Sequence, residues 1–193
     1  ELFERIAAEI CAHASAVKRV HLYRDGEPLL DKRLAQRILR LKRGGVGEVG
    51  ISTNGQLLDE KRGLAILQAG LDEIILSIDS VYPNVYSKIR VGLDWATVTE
   101  NAKRFFRLRD GLRSSCRIRV RMIRQELNEP EWYHGRFQAE WLPHISGKDT
   151  VEYRDIHNWG GQLDGFKPIA PADTTKPCIF LWSSMVIFAD GSV

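Results

Sequence analysis

Two alternating rhythms of apolar positions run along most of the chain. Leu2, Ile6, Ile10 and Ala14 recur at helical spacing, so Glu1 to about Ser15 reads as an amphipathic helix. The stretch Val20 to Leu30 then begins as a strand and breaks at Gly26, where Pro28 has no backbone N–H for a neighbouring strand. Asp31 is placed to cap a helix whose buried side carries Leu34, Ile38, Leu39 and Leu41, and Gly44-Gly45 ends it. Val46 to Thr53 reads as the next strand, closed by the turn Asn54-Gly55, and Asp59 caps a helix through Gln68. Glu73 to Asp79 is nearly continuous in apolar residues, as a strand covered on both faces should be. A helical region from about Val85 to Leu108 is interrupted near Gly92. Arg117 to Ile123 alternates strictly, Glu131 to Ile145 is helical in period, and Val151 to Ile156 is a last strand. A helix followed by repeated β-α units with short connections predicts parallel strands joined by right-handed crossovers.

The rhythm stops after Trp159. Gly160-Gly161 and the prolines 168, 171 and 177 mark residues 162–177 as a linker, long by loop norms. Met185 to Phe188 followed by Ala189-Asp190-Gly191 reads as a strand entering a hairpin. The organisation expected is therefore a core over residues 1–161, the linker, and the start of a second unit at residues 178–193. Both ends look cut: the chain starts without Met inside a helical pattern and stops after a turn that should lead onward.

Composition narrows the class. A chain of 193 residues with 44% hydrophobic content can bury one real core, and no apolar run approaches the roughly 20 residues of a membrane span. Nothing resembles a signal peptide, so the cytoplasm is the default location and no membrane partner is expected. The net charge of +3 is too small to argue for nucleic acid, and no nucleic-acid partner is expected. Cys11, Cys116 and Cys178 are far apart and odd in number, which fits neither a disulfide framework nor a C-x-x-C metal pair. Cys11, Cys116 and the five tryptophans are read as packing residues.

Residue parity then assigns polar side chains to faces. Ser52 with Asn54, Ser77 with Asp79, and Asp155 with His157 each share a face at a strand's C-terminal end. Ordinary turn chemistry puts such residues after strands, yet this is also the edge where parallel α/β proteins bind ligands. Glu27, between Gly26 and Pro28, lies at the same edge. Arg117, Arg119 and Arg121 occupy one face of their strand, either inside the sheet or at an open edge. An inside row needs acidic partners or an anionic ligand, because an unpaired buried guanidinium is very costly. Arg104, Arg107, Arg109 and Arg113 lie close by in sequence and leave a nucleic-acid surface open as an alternative, although only Phe105-Phe106 interleave with them. His157, before Gly160-Gly161, is either a ligand or acid–base group or a loop hydrogen-bonder.

The ordered series Gly26-Glu27-Pro28-Leu29-Leu30, Ser52-Thr53-Asn54-Gly55, Ser77-Ile78-Asp79-Ser80 and Tyr86 with Ile89-Arg90 resembles the radical SAM enzymes. Asn128 to Glu131 and His157 to Gly161 resemble the subgroup with a C-terminal SPASM domain for auxiliary iron–sulfur clusters. The resemblance implies an α/β fold, a partial (β/α)₆ TIM-like barrel of parallel strands missing its first strand, followed by the start of the auxiliary-cluster domain. It implies S-adenosylmethionine (SAM) at the C-terminal edge, with Gly26, Glu27 and Pro28 against the methionyl amino group. Ser77 and Asp79 would meet the ribose or carboxylate, Ser52 and Asn54 would belong to the same wall of the cofactor site, and Arg90 would meet the methionyl carboxylate. A zwitterion calls for a carboxylate toward its ammonium and a guanidinium toward its carboxylate, which Arg can bind bidentately.

The family's C-x-x-x-C-x-x-C loop, whose thiolates hold a [4Fe–4S] cluster, has no counterpart in this sequence. The expectation is therefore an internal fragment, inactive by itself, of an enzyme that cleaves SAM reductively to a 5′-deoxyadenosyl radical for hydrogen abstraction. Cys178 becomes the candidate ligand of an auxiliary [4Fe–4S] cluster, and Arg119, Arg121 and His157 the candidate substrate contacts. A peptide or small-molecule substrate and an external electron donor such as flavodoxin or ferredoxin complete the picture. The alternatives are an iron-free α/β-barrel enzyme binding an anionic substrate through Arg117, Arg119 and Arg121, or a basic nucleic-acid-binding module.

Overall fold

The computed structural model describes residues 1–156, 177 and 180–193, with the backbone alone at 180 and 181. Five strands form one sheet: β1 (Arg19–His21), β2 (Glu48–Thr53), β3 (Glu73–Ser77), β4 (Arg117–Arg124) and β5 (Thr150–Asp155). Every neighbouring pair is parallel, and the spatial order follows the chain order without a switch. Right-handed crossovers that always step in one direction place their helices on one face, which is the winding of a barrel. The other face is then left to line an interior. This is the expected α/β partial barrel.

The crossovers are α2 (Leu34–Arg43), α3 (Glu60–Gln68), α4 (Pro83–Ile89) with α5 (Trp95–Gly111), and α6 (Glu129–Tyr133) with α7 (Arg136–Trp141). α1 (Leu2–Ala12) precedes β1, and α8 (Phe180–Ser183) lies near the end. Ile38 and Leu41 of α2, Ile66 of α3, Phe105 of α5, and Phe137 and Trp141 of α7 close over Val49, Ile51, Ile74, Leu76, Ile118, Val120 and Met122 of the sheet. β4 shows both faces plainly. Ile118, Val120 and Met122 are buried under the helices, while Arg117, Arg119 and Arg121 are half-buried on the inner face.

Close packing accounts for Gly44 at the end of α2: a Cβ there would lie 1.9 Å from Cys11 Sγ of α1. Cys116 is buried, and burial pushes its thiol up to about 12. Both cysteines are the packing residues expected.

Several local expectations are corrected. The first helix ends at Ala12 rather than near Ser15. Asp31 does not cap α2; its carboxylate accepts from Arg33 N (2.9 Å), within a connection that first makes a 3₁₀ turn over Pro28–Leu30. The helical period of Glu131 to Ile145 is broken at Gly135, whose φ of +69° is left-handed and separates α6 from α7. Residues 185–188 make no ladder; a turn at Asp190-Gly191 is closed by Phe188 N donating to Ser192 O (2.9 Å). Trp182 is 69% exposed, so this tryptophan does not pack. His157, Cys178 and all of the linker except Pro177 lie outside the described residues.

Candidate functional site

The segment after β1 and the C-terminal end of β2 meet at the carboxylate of Glu27. The chain leaves β1, turns at Gly26 and enters the 3₁₀ turn, whose first N–H groups need acceptors. Glu27 Oε1 accepts from Leu29 N (3.0 Å) and from Thr53 Oγ1 (2.7 Å), while Oε2 accepts from Asn54 N (2.8 Å). The carboxylate thus ties the turn to the end of β2. A carboxylate has about four acceptor positions, so one remains. Gly26 borders open space: a Cβ there would meet nothing within 4 Å.

Beside it, Ser52 Oγ and Ser77 Oγ face each other across β2 and β3 at 3.3 Å, half-buried on the inner face. Asn54 Oδ1 accepts from Gln56 N (2.9 Å), the Asx turn that the Asn-Gly pair predicted. The expected grouping of Glu27, Ser52, Asn54 and Ser77 at one edge is therefore present.

Asp79 follows β3 and is almost fully buried. Its Oδ1 accepts from Ile123 N (2.7 Å) at the end of β4, and its Oδ2 accepts from Arg90 Nε (2.6 Å) at the end of α4. Burial pushes the Asp79 carboxyl up from its ordinary value, and the Arg90 charge and the Ile123 N–H only partly offset this. Arg90 gives one of its five N–H donors to Asp79; the other four have no partner among the described residues, and the side chain is 28% exposed. Tyr86, one turn earlier, is fully buried, and its hydroxyl has no partner there.

The inner-face row is settled in favour of paired arginines. Arg19, Glu48, Arg117, Glu73, Arg119, Glu152 and Arg121 alternate in sign across the strands. Arg117 reaches Glu48 (3.1 Å) and Glu73 (3.3 Å), Arg119 reaches Glu73 (3.6 Å) and Glu152 (2.7 Å), and Arg121 reaches Glu152 (2.6 Å). Four guanidiniums meet three carboxylates, leaving one positive charge in excess. The hydrogen bond from Arg117 holds the Glu48 carboxyl at about 2, despite its partial burial. His21 and Tyr23 belong to the same face, and parity with the arginines across the register was the signal that could have found them.

Two expectations fail here. Asp155 stands in register with Arg124, on the helix side, and accepts from Arg124 Nε (2.7 Å), so it faces away from the inner surface. Arg109 is no surface cation. It is 5% exposed and forms a bidentate pair with Asp149 (2.9 and 2.7 Å). Arg107 pairs with Glu100 (2.8 Å), and Arg104 donates to Asn101 Oδ1 (2.8 Å), which breaks up the basic cluster proposed for nucleic acid.

Comparisons with known proteins bear on the family and the fold. The GTP 3′,8-cyclase of Alkaliphilus metalliredigens is 38% identical over 84 residues, 43% of this chain and 26% of that protein. A probable GTP 3′,8-cyclase of Methanococcus maripaludis is 40% identical over 67 residues, 35% of this chain and 22% of that protein. The matched parts of the chain thus span about a fifth to a quarter of these relatives' length. Among solved structures, SuiB of Streptococcus suis bound to the precursor peptide SuiA shares the fold at 14% identity. Its TM-score is 0.53, covering 80% of this chain and 34% of that one. SuiB bound to S-adenosylmethionine is similar at TM-score 0.51 and 15% identity, covering 78% and 34%. Residues 1–116, more than half of the chain, match the model of the Radical SAM superfamily, and the chain belongs to that superfamily of enzymes.

Proposed function

We propose that this chain supplies the SAM-holding wall of a radical SAM enzyme. The observation that carries the reading is Arg90: fixed through Nε by a buried aspartate, it keeps its two Nη groups for a second carboxylate. A methionyl carboxylate takes such a fork bidentately. The Gly26-Glu27-Pro28 segment, bordered by open space at Gly26, receives the methionyl ammonium; Ser52, Asn54 and Ser77 form the polar lining between, and Asp79, buried with both oxygens engaged, acts from behind Arg90. When bound, SAM supplies the 5′-deoxyadenosyl radical on reductive cleavage. What these residues do is bind, orient and shield it from water.

The superfamily's [4Fe–4S] cluster does not fit the described residues. Among them no group of three His, Cys, Asp or Glu is arranged to hold a metal ion, and Cys11 and Cys116 are engaged in packing. Cluster ligation is assigned outside them, with Cys178 the candidate for an auxiliary cluster of a SPASM-type unit beginning at residue 178. Unpaired Cys11 and Cys116 suit a reducing, cytoplasmic setting, where a flavodoxin or ferredoxin would deliver the electron.

The excess positive charge of the inner face favours a substrate with an anionic group, contacted by Arg119 and Arg121. A nucleotide, as in the name of the cyclase relatives, or an acidic peptide would carry one. No helix of the described residues is long and apolar enough to cross a membrane. The test is reduction of the iron-reconstituted intact protein in the presence of SAM. Production of 5′-deoxyadenosine and methionine is expected, and its absence with a fully loaded cluster would overturn the reading.

A further inference from the structure

Two polar residues just past β4 have no place in the site so far, although both are buried: Asn128 is 0% exposed and Glu131 is 4% exposed. Asn128 Nδ2 donates to Asp79 O (2.6 Å) and Ile123 O (3.0 Å), and its Oδ1 accepts from Gln125 N (2.8 Å). Glu131 Oε1 accepts from Ser80 Oγ (2.5 Å) and Oε2 from Val81 N (2.7 Å). Three consecutive residues of the β3–α4 connection, 79 to 81, are thus fastened to the segment after β4. α4 follows at Pro83 and is only seven residues long, and Arg90 stands at its end.

We propose that Asn128 and Glu131 are positioning residues that set the aim of the Arg90 guanidinium. The inference rests on the SAM reading above. Asp79 orients Arg90 through Nε, but Asp79 is itself held by its backbone carbonyl on Asn128, and α4 starts from residues held by Glu131. Loosening Asn128 frees the Asp79 end of the Arg90 support, and loosening Glu131 frees its α4 end. The methionyl end of the ligand is then misaligned, while the adenosine end is untouched.

The test uses iron-reconstituted intact protein and two ligands. S-adenosylhomocysteine carries the methionyl-type carboxylate; 5′-methylthioadenosine lacks that end. Glu131→Ala and Asn128→Ala should each weaken S-adenosylhomocysteine binding roughly tenfold and leave 5′-methylthioadenosine binding unchanged. Glu131→Gln should restore it: its carbonyl accepts from Val81 N, its amide donates to Ser80 Oγ, and the Ser80 hydrogen turns to Tyr82 O, 3.1 Å away. If an alanine variant does not fold, Ser80→Ala, which keeps the Val81 N contact to Glu131 but removes the hydroxyl from Glu131, Tyr82 O and Tyr82 N, is judged by the same criteria. Wild-type protein that binds neither ligand sinks the SAM reading itself. Wild-type binding with variants that lose both ligands alike, or neither, overturns the positioning role alone.

Discussion

β4 is gripped at both ends by an aspartate that accepts one of its backbone N–H groups and pairs with an arginine. At the start, Asp149 takes Ile118 N (2.8 Å) and Arg109; at the end, Asp79 takes Ile123 N (2.7 Å) and Arg90. The first pair is complete. All five donors of Arg109 are engaged, by Asp149 twice, Cys116 O, Ser146 Oγ and Asp110. Asp149 also accepts from Ser146 N. Burial pushes the Asp149 carboxyl up, yet the Arg109 guanidinium and the two N–H groups bring it below its ordinary value.

The second pair is incomplete by the same measure. Asp79 stays above its ordinary value because burial outweighs its partners, and Arg90 has four donors without a partner among the described residues. A buried ion pair with every donor matched can only hold the structure together. One that leaves most of a partly exposed guanidinium unmatched keeps donors for a further acceptor, and the proposed SAM reading rests on that difference.

The contrast can be broken most directly at the closed pair. Asp149→Ala strands a buried guanidinium and two backbone N–H groups, and should cost about 3–5 kcal/mol of stability in urea unfolding. A loss below about 1 kcal/mol would mean that the pair is no scaffold. Glu27→Ala tests a third, nearly saturated carboxylate. Its Thr53, Asn54 and Leu29 partners lose their acceptor, and a loss of about 2–3 kcal/mol is expected by the same method.

At the open pair the balance reverses. Arg90→Lys keeps a cation for Asp79 and should cost only about 1 kcal/mol of stability. It should nevertheless weaken S-adenosylhomocysteine binding about tenfold by calorimetry, since an ammonium cannot form the fork. Unchanged affinity would remove Arg90 from the site.

The smallest effect concerns pH. Glu48 is held at about 2 in the fold against an ordinary 4.5, so its pairing stabilises above pH 4.5 and is lost as pH falls toward 2. The stability difference between wild type and Glu48→Gln should be flat above pH 4.5 and shrink below it. A difference that persists at pH 2 would contradict the assignment to this group.

Much of the edge could be read from the chain. Ser52, Asn54, Ser77 and Asp79 follow strands whose period is written in their own neighbours, and Gly26 and Pro28 stop the first strand by backbone chemistry alone. The spacing from Asp79 to Arg90 spans one short helix, so their meeting was within reach of a local reading. Arg109 was not. In sequence it belongs to a run of arginines, and only the return of the chain forty residues later brings Asp149 beneath it. Asp155 failed for the opposite reason: parity fixes which residues share a face, but the register with Arg124 decides which face that is.

The sequence by itself determined the five strands, most of the helices, their parallel winding and the polar character of the strand ends, because these follow from periodicity and turn chemistry over a few residues. Tertiary structure alone decided which charges are saturated. A guanidinium looks the same in any stretch of chain, and its meaning depends on how many of its donors find acceptors brought from distant positions. By that count Arg109 became framework, and Arg90 kept four donors unmatched among the described residues.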